Sequence, residues 1–256
     1  MDERIAFMIH SFLLIGQSNM AGRGFLEEAH PIDTTSIKVL RNGRWQPMYR
    51  PVNPDRSFSG VNLAERFAEL YAKKYQVEVG LIPCADGGTT LEQWAPGGLL
   101  FDHAVYQSRL AERTSTIAGV LWHQGESDCE THLYPTYRER LEQLLTAFRR
   151  ELKLEDVPFL LGGLGDFLKD NAAMSFWNYP HINTALQEVA AAGERIGFVT
   201  AEGLPANSDN LHFSASALYE FGERYFEVFE TLRDPNKVFE EKSHPDLAKR
   251  TAIELL

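Results

Sequence analysis

Three residues from opposite ends of the chain have types and spacing suited to acyl transfer. Ser18 lies in "LLIGQSNMAG" (13–22), where an apolar run stops at a glycine and polar residues follow. A serine hydroxyl is a weak nucleophile near neutral pH. It needs a base to take its proton, and the base needs a third group to fix its tautomer and offset its charge. "SDNLHFS" (208–214) holds both types: Asp209 and His212 are three apart, just before a helical run whose N-cap is expected at Ser214. That spacing lets the carboxylate reach one imidazole nitrogen while the other faces outward. Taken singly, Ser18 also fits an N-cap, and D-x-x-H also fits a turn with a surface histidine. The GxSxM pattern lacks the second glycine of the GxSxG elbow.

Acyl transfer also needs donors for the charge that develops on the carbonyl oxygen. "ADGGTT" (85–90) offers the main-chain N–H of Gly87 or Gly88, where no side chain would block a substrate. "WHQGESD" (122–128) offers the Gln124 amide.

These groups must be positioned by a scaffold, and the hydropathy pattern indicates which. Short apolar runs at 11–16, 77–83, 117–123, 157–163 and 195–201 read as strands. Amphipathic runs at 61–75, about 100–113, 134–152, 179–193 and 214–231 read as helices between and after them. Such alternation predicts an α/β fold, a three-layer α/β/α sandwich around a mostly parallel five-stranded sheet. Ligands of such sheets bind beyond the carboxyl ends of the strands, where all four polar segments fall. The stretch 42–60 reads as a long surface loop, and 234–246 as a polar connection to a small terminal helix. One domain is expected over 1–256, with its core at about 11–231 and a C-terminal extension at about 232–256.

Composition narrows the function. The 36 acidic and 25 basic residues give a formal charge of −11 with no basic block, which disfavours nucleic acid as a partner. Cys84 and Cys129 have no metal-finger spacing and fit a reducing compartment. The apolar run within 1–16 is too short to span a bilayer and lacks the marks of a secretory leader, so no membrane partner and a cytoplasmic location are expected. Oligomeric state is not legible.

In order, "GQSNMAG", "GGTTLEQW", "WHQGE" and "DNLHFS" resemble the blocks of the SGNH-hydrolase superfamily, in particular its carbohydrate acetylesterase branch of acetyl xylan esterases and sialate O-acetylesterase-like proteins. The likeness runs from about residue 11 to about 231. It implies a flavodoxin-like SGNH hydrolase fold and a serine esterase that removes acetyl groups from carbohydrate hydroxyls without a cofactor. The substrate would be a small acetylated sugar or oligosaccharide. It further implies Ser18 as nucleophile, His212 as general base and acid, and Asp209 as the orienting carboxylate. The implied oxyanion donors are the Ser18 N–H, the N–H of Gly87 or Gly88, and the Gln124 side chain. Gln17, Asn19, His123 and Glu126 would brace the site, and Trp94 would support it or meet the substrate. Where other SGNH enzymes carry asparagine in a GxND block, this chain has "HQGESD".

Rival readings are weaker. His123, Glu126, Asp128, Cys129 and His132 crowd ten residues but lack the HExxH arrangement of a zinc site. "GQSNMAGRG" matches neither GxxxxGK[ST] nor GxGxxG. A non-catalytic carbohydrate-binding protein with the same fold, using Trp45, Trp94 and Trp122 for stacking, is the main alternative. It has no need for the full set of Ser18, Asp209 and His212.

Overall fold

The computed structural model describes residues 9–171, 174–237 and 239. The expectations about an N-terminal leader and a terminal helix fall largely outside these residues. Among the described residues seven strands form one sheet: β1 (Ile9–Gly16), β2 (Ile37–Arg41), β3 (Arg44–Pro47), β4 (Glu78–Pro83), β5 (Thr116–His123), β6 (Phe159–Gly162) and β7 (Ile196–Val199). Their order is β3-β2-β4-β1-β5-β6-β7, parallel except for the β2–β3 pair. The helices are α1 (Ser18–Ala21), α2 (Leu63–Tyr75), α3 (Leu99–Ala111), α4 (Tyr137–Leu152), α5 (Tyr179–Ala192) and α6 (Ala215–Leu232).

Strand β1 lies between β4 and β5 and is buried along its whole length. Its side chains alternate as pleat geometry requires. Leu13 and Ile15 join the core on one face, with Trp122 from β5 and the apolar stripe of α4. Phe12 and Leu14 join the opposite core, with residues of α2 and α6. Phe12 there meets Phe67, Tyr71 and Phe229 edge-on at 4.8–5.8 Å between ring centroids. Its replacement by alanine is expected to cost about 3–5 kcal/mol.

Two strands extend the sheet beyond the five expected. The stretch 42–60 begins with a hairpin, since Asn42 and Gly43 both take positive φ (51° and 72°) and turn β2 into β3. This Asn-Gly pair is the usual residue choice of a two-residue hairpin turn. The rest of that stretch leads toward the site. Helix α2 begins with a capping box: the Asn62 side chain accepts from the chain ahead, and the Glu65 carboxylate accepts the Asn62 N–H. Ser214 caps α6 by accepting from the Ala217 N–H at 3.2 Å.

Candidate active site

Four loops meet beyond the carboxyl ends of β1, β4, β5 and β7. The main chain of the first three strands continues to pair past their ends: Gln17 N–H donates to His123 O at 2.9 Å and Asp86 N–H to Gly16 O at 3.0 Å. Ser18, the first residue of α1, is therefore held between the β4 and β5 loops, and the residue is only 6% exposed.

The loop before α6 brings up the other two residues. Asn210 takes a positive φ of 47°, so the chain turns back over Asp209. Asp209 Oδ1 then accepts the main-chain N–H groups of Leu211 and His212 at 2.9 and 3.0 Å. Asp209 Oδ2 lies 2.7 Å from His212 Nδ1, and His212 Nε2 lies 3.1 Å from Ser18 Oγ. A neutral imidazole with its proton on Nδ1 donates to the carboxylate and accepts the serine proton at Nε2. Partial burial disfavours charge on Asp209, but the His212 main chain, the imidazole and the Leu211 N–H outweigh it. They hold its carboxyl below the usual range.

Asn19 joins the two ends of the chain beside this contact. Its Nδ2 donates to Glu126 Oε1 at 2.5 Å and to Leu211 O at 3.2 Å, and its Oδ1 accepts the Phe213 N–H at 3.1 Å. The residues on either side of His212 are thus tied to the residue after Ser18. Gln17 braces the β5 loop, its Oε1 lying 3.4 Å from both the Gly125 and Ser127 main-chain nitrogens. His123 is fully buried, which lowers its basicity, and its Nε2 bonds to Gly163 O at 3.1 Å.

The turn after β4 approaches Ser18 closely. A Cβ built on Gly87 would lie 3.4 Å from Ser18 Cβ and 2.6 Å from Arg23 Nη2, so only glycine fits without a shift. The Gly87 N–H is committed to Asp55 Oδ2 at 2.9 Å. Gly88, at φ +79°, has a main-chain N–H with no acceptor among the described residues. The Gln124 amide also differs from a free donor: its Nε2 donates to Thr89 O at 3.0 Å and to Asp128 Oδ2 at 2.6 Å. Both amide hydrogens are thereby used inside the protein.

Sequence reading did not identify Asp55 or Arg23. They form a two-pronged ion pair of 3.0 and 2.7 Å, and Asp55 also accepts from Ser59 at 2.8 Å. Burial works against the Asp55 charge, but Arg23, Ser59 and the Gly87 N–H hold its carboxyl below the usual range. The tryptophans named as stacking surfaces are core residues: Trp94 and Trp122 meet edge-on at 5.7 Å, and Trp45 is also buried. Trp94 donates to Thr89 Oγ1 at 3.0 Å and so braces the Gly87–Gly88 turn from behind. The exposed aromatics include Trp177, 70% exposed, and Phe58, over which Arg23 sits at 5.2 Å. Cys84 and Cys129 are buried free thiols.

A mostly parallel sheet between helical layers, with the Ser18, His212 and Asp209 groups at its carboxyl edge, has the architecture of an SGNH-type hydrolase. The family described as carbohydrate esterase, sialic acid-specific acetylesterase, matches residues 8–231, and the chain belongs to that family. It is a carboxylic ester hydrolase of the carbohydrate esterase group. It is 28% identical over 240 residues to a protein of Arabidopsis thaliana named probable carbohydrate esterase At4g34215, covering 82% of this chain and 86% of the relative. The crystal structure of the Arabidopsis protein superposes with a TM-score of 0.77 at 26% identity, covering 87% of this chain and 98% of that one. The fold is also similar to that of NanS, with a TM-score of 0.68 at 19% identity over 88% of this chain and 97% of that one. XAC1771 of Xanthomonas citri, a carbohydrate acetylesterase, gives 0.65 at 16% identity over 88% of this chain and 56% of its own.

Proposed function

We propose that the protein is a serine esterase that removes acetyl groups from hydroxyls of a small carbohydrate through an acetyl-enzyme. Ser18 Oγ attacks the ester carbonyl carbon as its proton passes to His212 Nε2. The resulting imidazolium faces the Asp209 carboxylate, which fixes the ring and offsets its charge. The main-chain N–H groups of Ser18 and Gly88 receive the tetrahedral oxyanion. Collapse expels the sugar alkoxide, which takes the proton from His212, and leaves acetyl on Ser18. Water then gives a proton to the same histidine and attacks, and acetate departs as Ser18 recovers its hydrogen.

The observation that carries this reading is the continuous Asp209–His212–Ser18 chain of hydrogen bonds, 2.7 and 3.1 Å long. The family description and the plant relative's name support an acetylated carbohydrate as substrate. The test is acetate release from a panel of acetylated mono- and oligosaccharides, with Ser18→Ala as the blank. A serine-directed phosphonate is mapped by mass spectrometry in parallel. Acetate release that depends on Ser18, with the adduct on Ser18, is expected. Acetate release equal in the variant, or an adduct elsewhere, refutes the mechanism.

A further inference from the structure

Asp128 is a buried carboxylate that none of the steps above employs. Its side chain is 0% exposed, and donors from three parts of the chain converge on it. The Leu91 N–H and Gln124 Nε2 reach its Oδ2 at 2.8 and 2.6 Å, and Arg140 Nη2, from α4, stands 3.3 Å from Oδ1. The same Gln124 side-chain amide reaches Thr89 O at 3.0 Å, and the Gln124 main-chain carbonyl accepts the Tyr137 hydroxyl at 2.7 Å. Burial pushes the Asp128 carboxyl up, against the pull of the Gln124, Leu91 and Arg140 contacts.

A buried carboxylate is a costly way to fill space, since an apolar residue of similar volume is commonly as stabilising or more so. Its convergent bonds fix geometry that apolar packing would not, and here that geometry belongs to the turn carrying Gly88. On the upstream side the Gly87 N–H is held by Asp55 Oδ2 at 2.9 Å. On the downstream side the Thr89 carbonyl is held by Gln124 and the Leu91 N–H by Asp128. Gly88 sits between these anchors with a backbone conformation, φ +79°, that leaves its N–H direction dependent on them.

We infer that Asp128 is a positioning residue: braced by Arg140, it clamps Leu91 directly and Thr89 through Gln124, and so aims the Gly88 N–H at the developing oxyanion. The inference rests on the serine-esterase reading above. A donor misplaced by about 1 Å costs on the order of 100-fold in rate.

Two variants test it in the full chain, with p-nitrophenyl acetate and the phosphonate as probes. Asp128→Asn keeps the shape but sets an NH2 group against the donors that now converge on the carboxylate. Leu91→Pro deletes the clamped N–H at the first position of a short 3-10 helix, where proline is tolerated and Thr90 already has an extended ψ of 161°; because Leu91 is also a buried core residue, its rate is read against Leu91→Ala, which loses the side chain but keeps the N–H. The expected result for Asp128→Asn and Leu91→Pro is a kcat roughly 10- to 100-fold lower, a KM within about twofold, and a parallel drop in phosphonate inactivation of Ser18, at temperatures well below melting. Unchanged kcat, a loss expressed in KM, or a loss that tracks the unfolded fraction overturns the clamp. Should Asp128→Asn fail to fold, Leu91→Pro decides alone. A wild-type protein inert to both probes removes the serine-esterase reading and the clamp with it; an active wild type with unaffected variants removes the clamp only.

Discussion

Ser18 Oγ lies 3.1 Å from His212 Nε2 although 194 positions separate the two residues in the chain. Both are held by main-chain contacts of the loops that carry them. The Ser18 loop is pinned to β5 through the Gln17 N–H, and the His212 loop closes on itself where the Asn207 N–H donates to His212 O at 2.7 Å. The pair is thus positioned before any ligand arrives, so little reorganisation has to accompany proton transfer.

Ser18→Ala removes the oxygen proposed to attack and one partner of His212. Hydrolysis of p-nitrophenyl acetate is expected to fall by at least about 1,000-fold. The melting temperature should move little, because among the described residues the hydroxyl's one side-chain hydrogen bond is to the imidazole. An activity within tenfold of wild type would remove Ser18 from the reaction.

Asp209→Asn keeps the loop but forfeits the charge opposite an imidazolium and invites the wrong tautomer. A loss of about 100- to 10,000-fold in kcat is expected. In the wild type the His212 main chain, its imidazole and the Leu211 N–H hold the Asp209 carboxyl below the usual range against partial burial, as a charge facing an imidazolium requires. A kcat within tenfold of wild type would remove Asp209 from the orienting role.

Asn19→Ala cuts three bonds at once: those to Glu126, to Leu211 O and to the Phe213 N–H. The latter two flank His212, so the ring loses its fixed distance to Ser18. A kcat about 10- to 100-fold lower is expected. Melting should drop by several degrees, since Asn19 is buried and its loss leaves polar groups unpaired. Fast phosphonate labelling of Ser18 in this variant would show that the bridge does not align the pair.

Much of the site could be read from the sequence because its parts are local. A strand, a glycine and a serine sit within a few residues, and the Asp209–His212 spacing is fixed by one turn. Strands β1, β4, β5, β6 and β7 are legible for the same reason, as short apolar runs bounded by polar loops. The unread parts depend on partners far along the chain. Nothing near Gln124 indicates that its amide is taken up by the distant Thr89 O, or that the Gly87 N–H is taken by Asp55. The aromatic content of Trp94 is visible locally, but its burial against Trp122 is a consequence of packing. The β2–β3 hairpin is different: the Asn42-Gly43 signal was present, and the surrounding proline and arginine residues obscured it.

The Asp55–Arg23 pair makes stability pH-dependent with a definite sign. The Asp55 carboxyl is held below its unfolded value, so its contribution is complete above the unfolded carboxylate range near about 4 and is lost as the pH falls through the folded value. Removing the charge should abolish that contribution. The gap in melting temperature between wild type and Asp55→Asn is therefore expected to be widest near neutrality and to shrink below about pH 4. A gap that widens in acid would reverse the sign and refute the assignment.

Asn62 links the start of α2 to the end of α1, and through it to Ser18. Its Oδ1 accepts the Ala64 N–H at 2.7 Å, and its Nδ2 donates to Met20 O and, at 3.0 Å, to Ala21 O. The residue is completely buried, so water cannot replace these bonds. Asn62→Ala removes a helix cap, worth about 1 kcal/mol, and leaves two carbonyls short of a donor at about 1–3 kcal/mol for a buried polar group. A total of about 3–7 kcal/mol corresponds to a fall of roughly 6–28 °C in melting temperature for a chain of this length. Asn62→Asp separates the two roles, since aspartate can still cap α2 but cannot donate to the α1 carbonyls. If support of α1 matters to catalysis, Asn62→Asp loses kcat despite an intact cap on α2. If both variants melt lower by the same amount and keep full kcat, Asn62 is a structural cap with no bearing on Ser18.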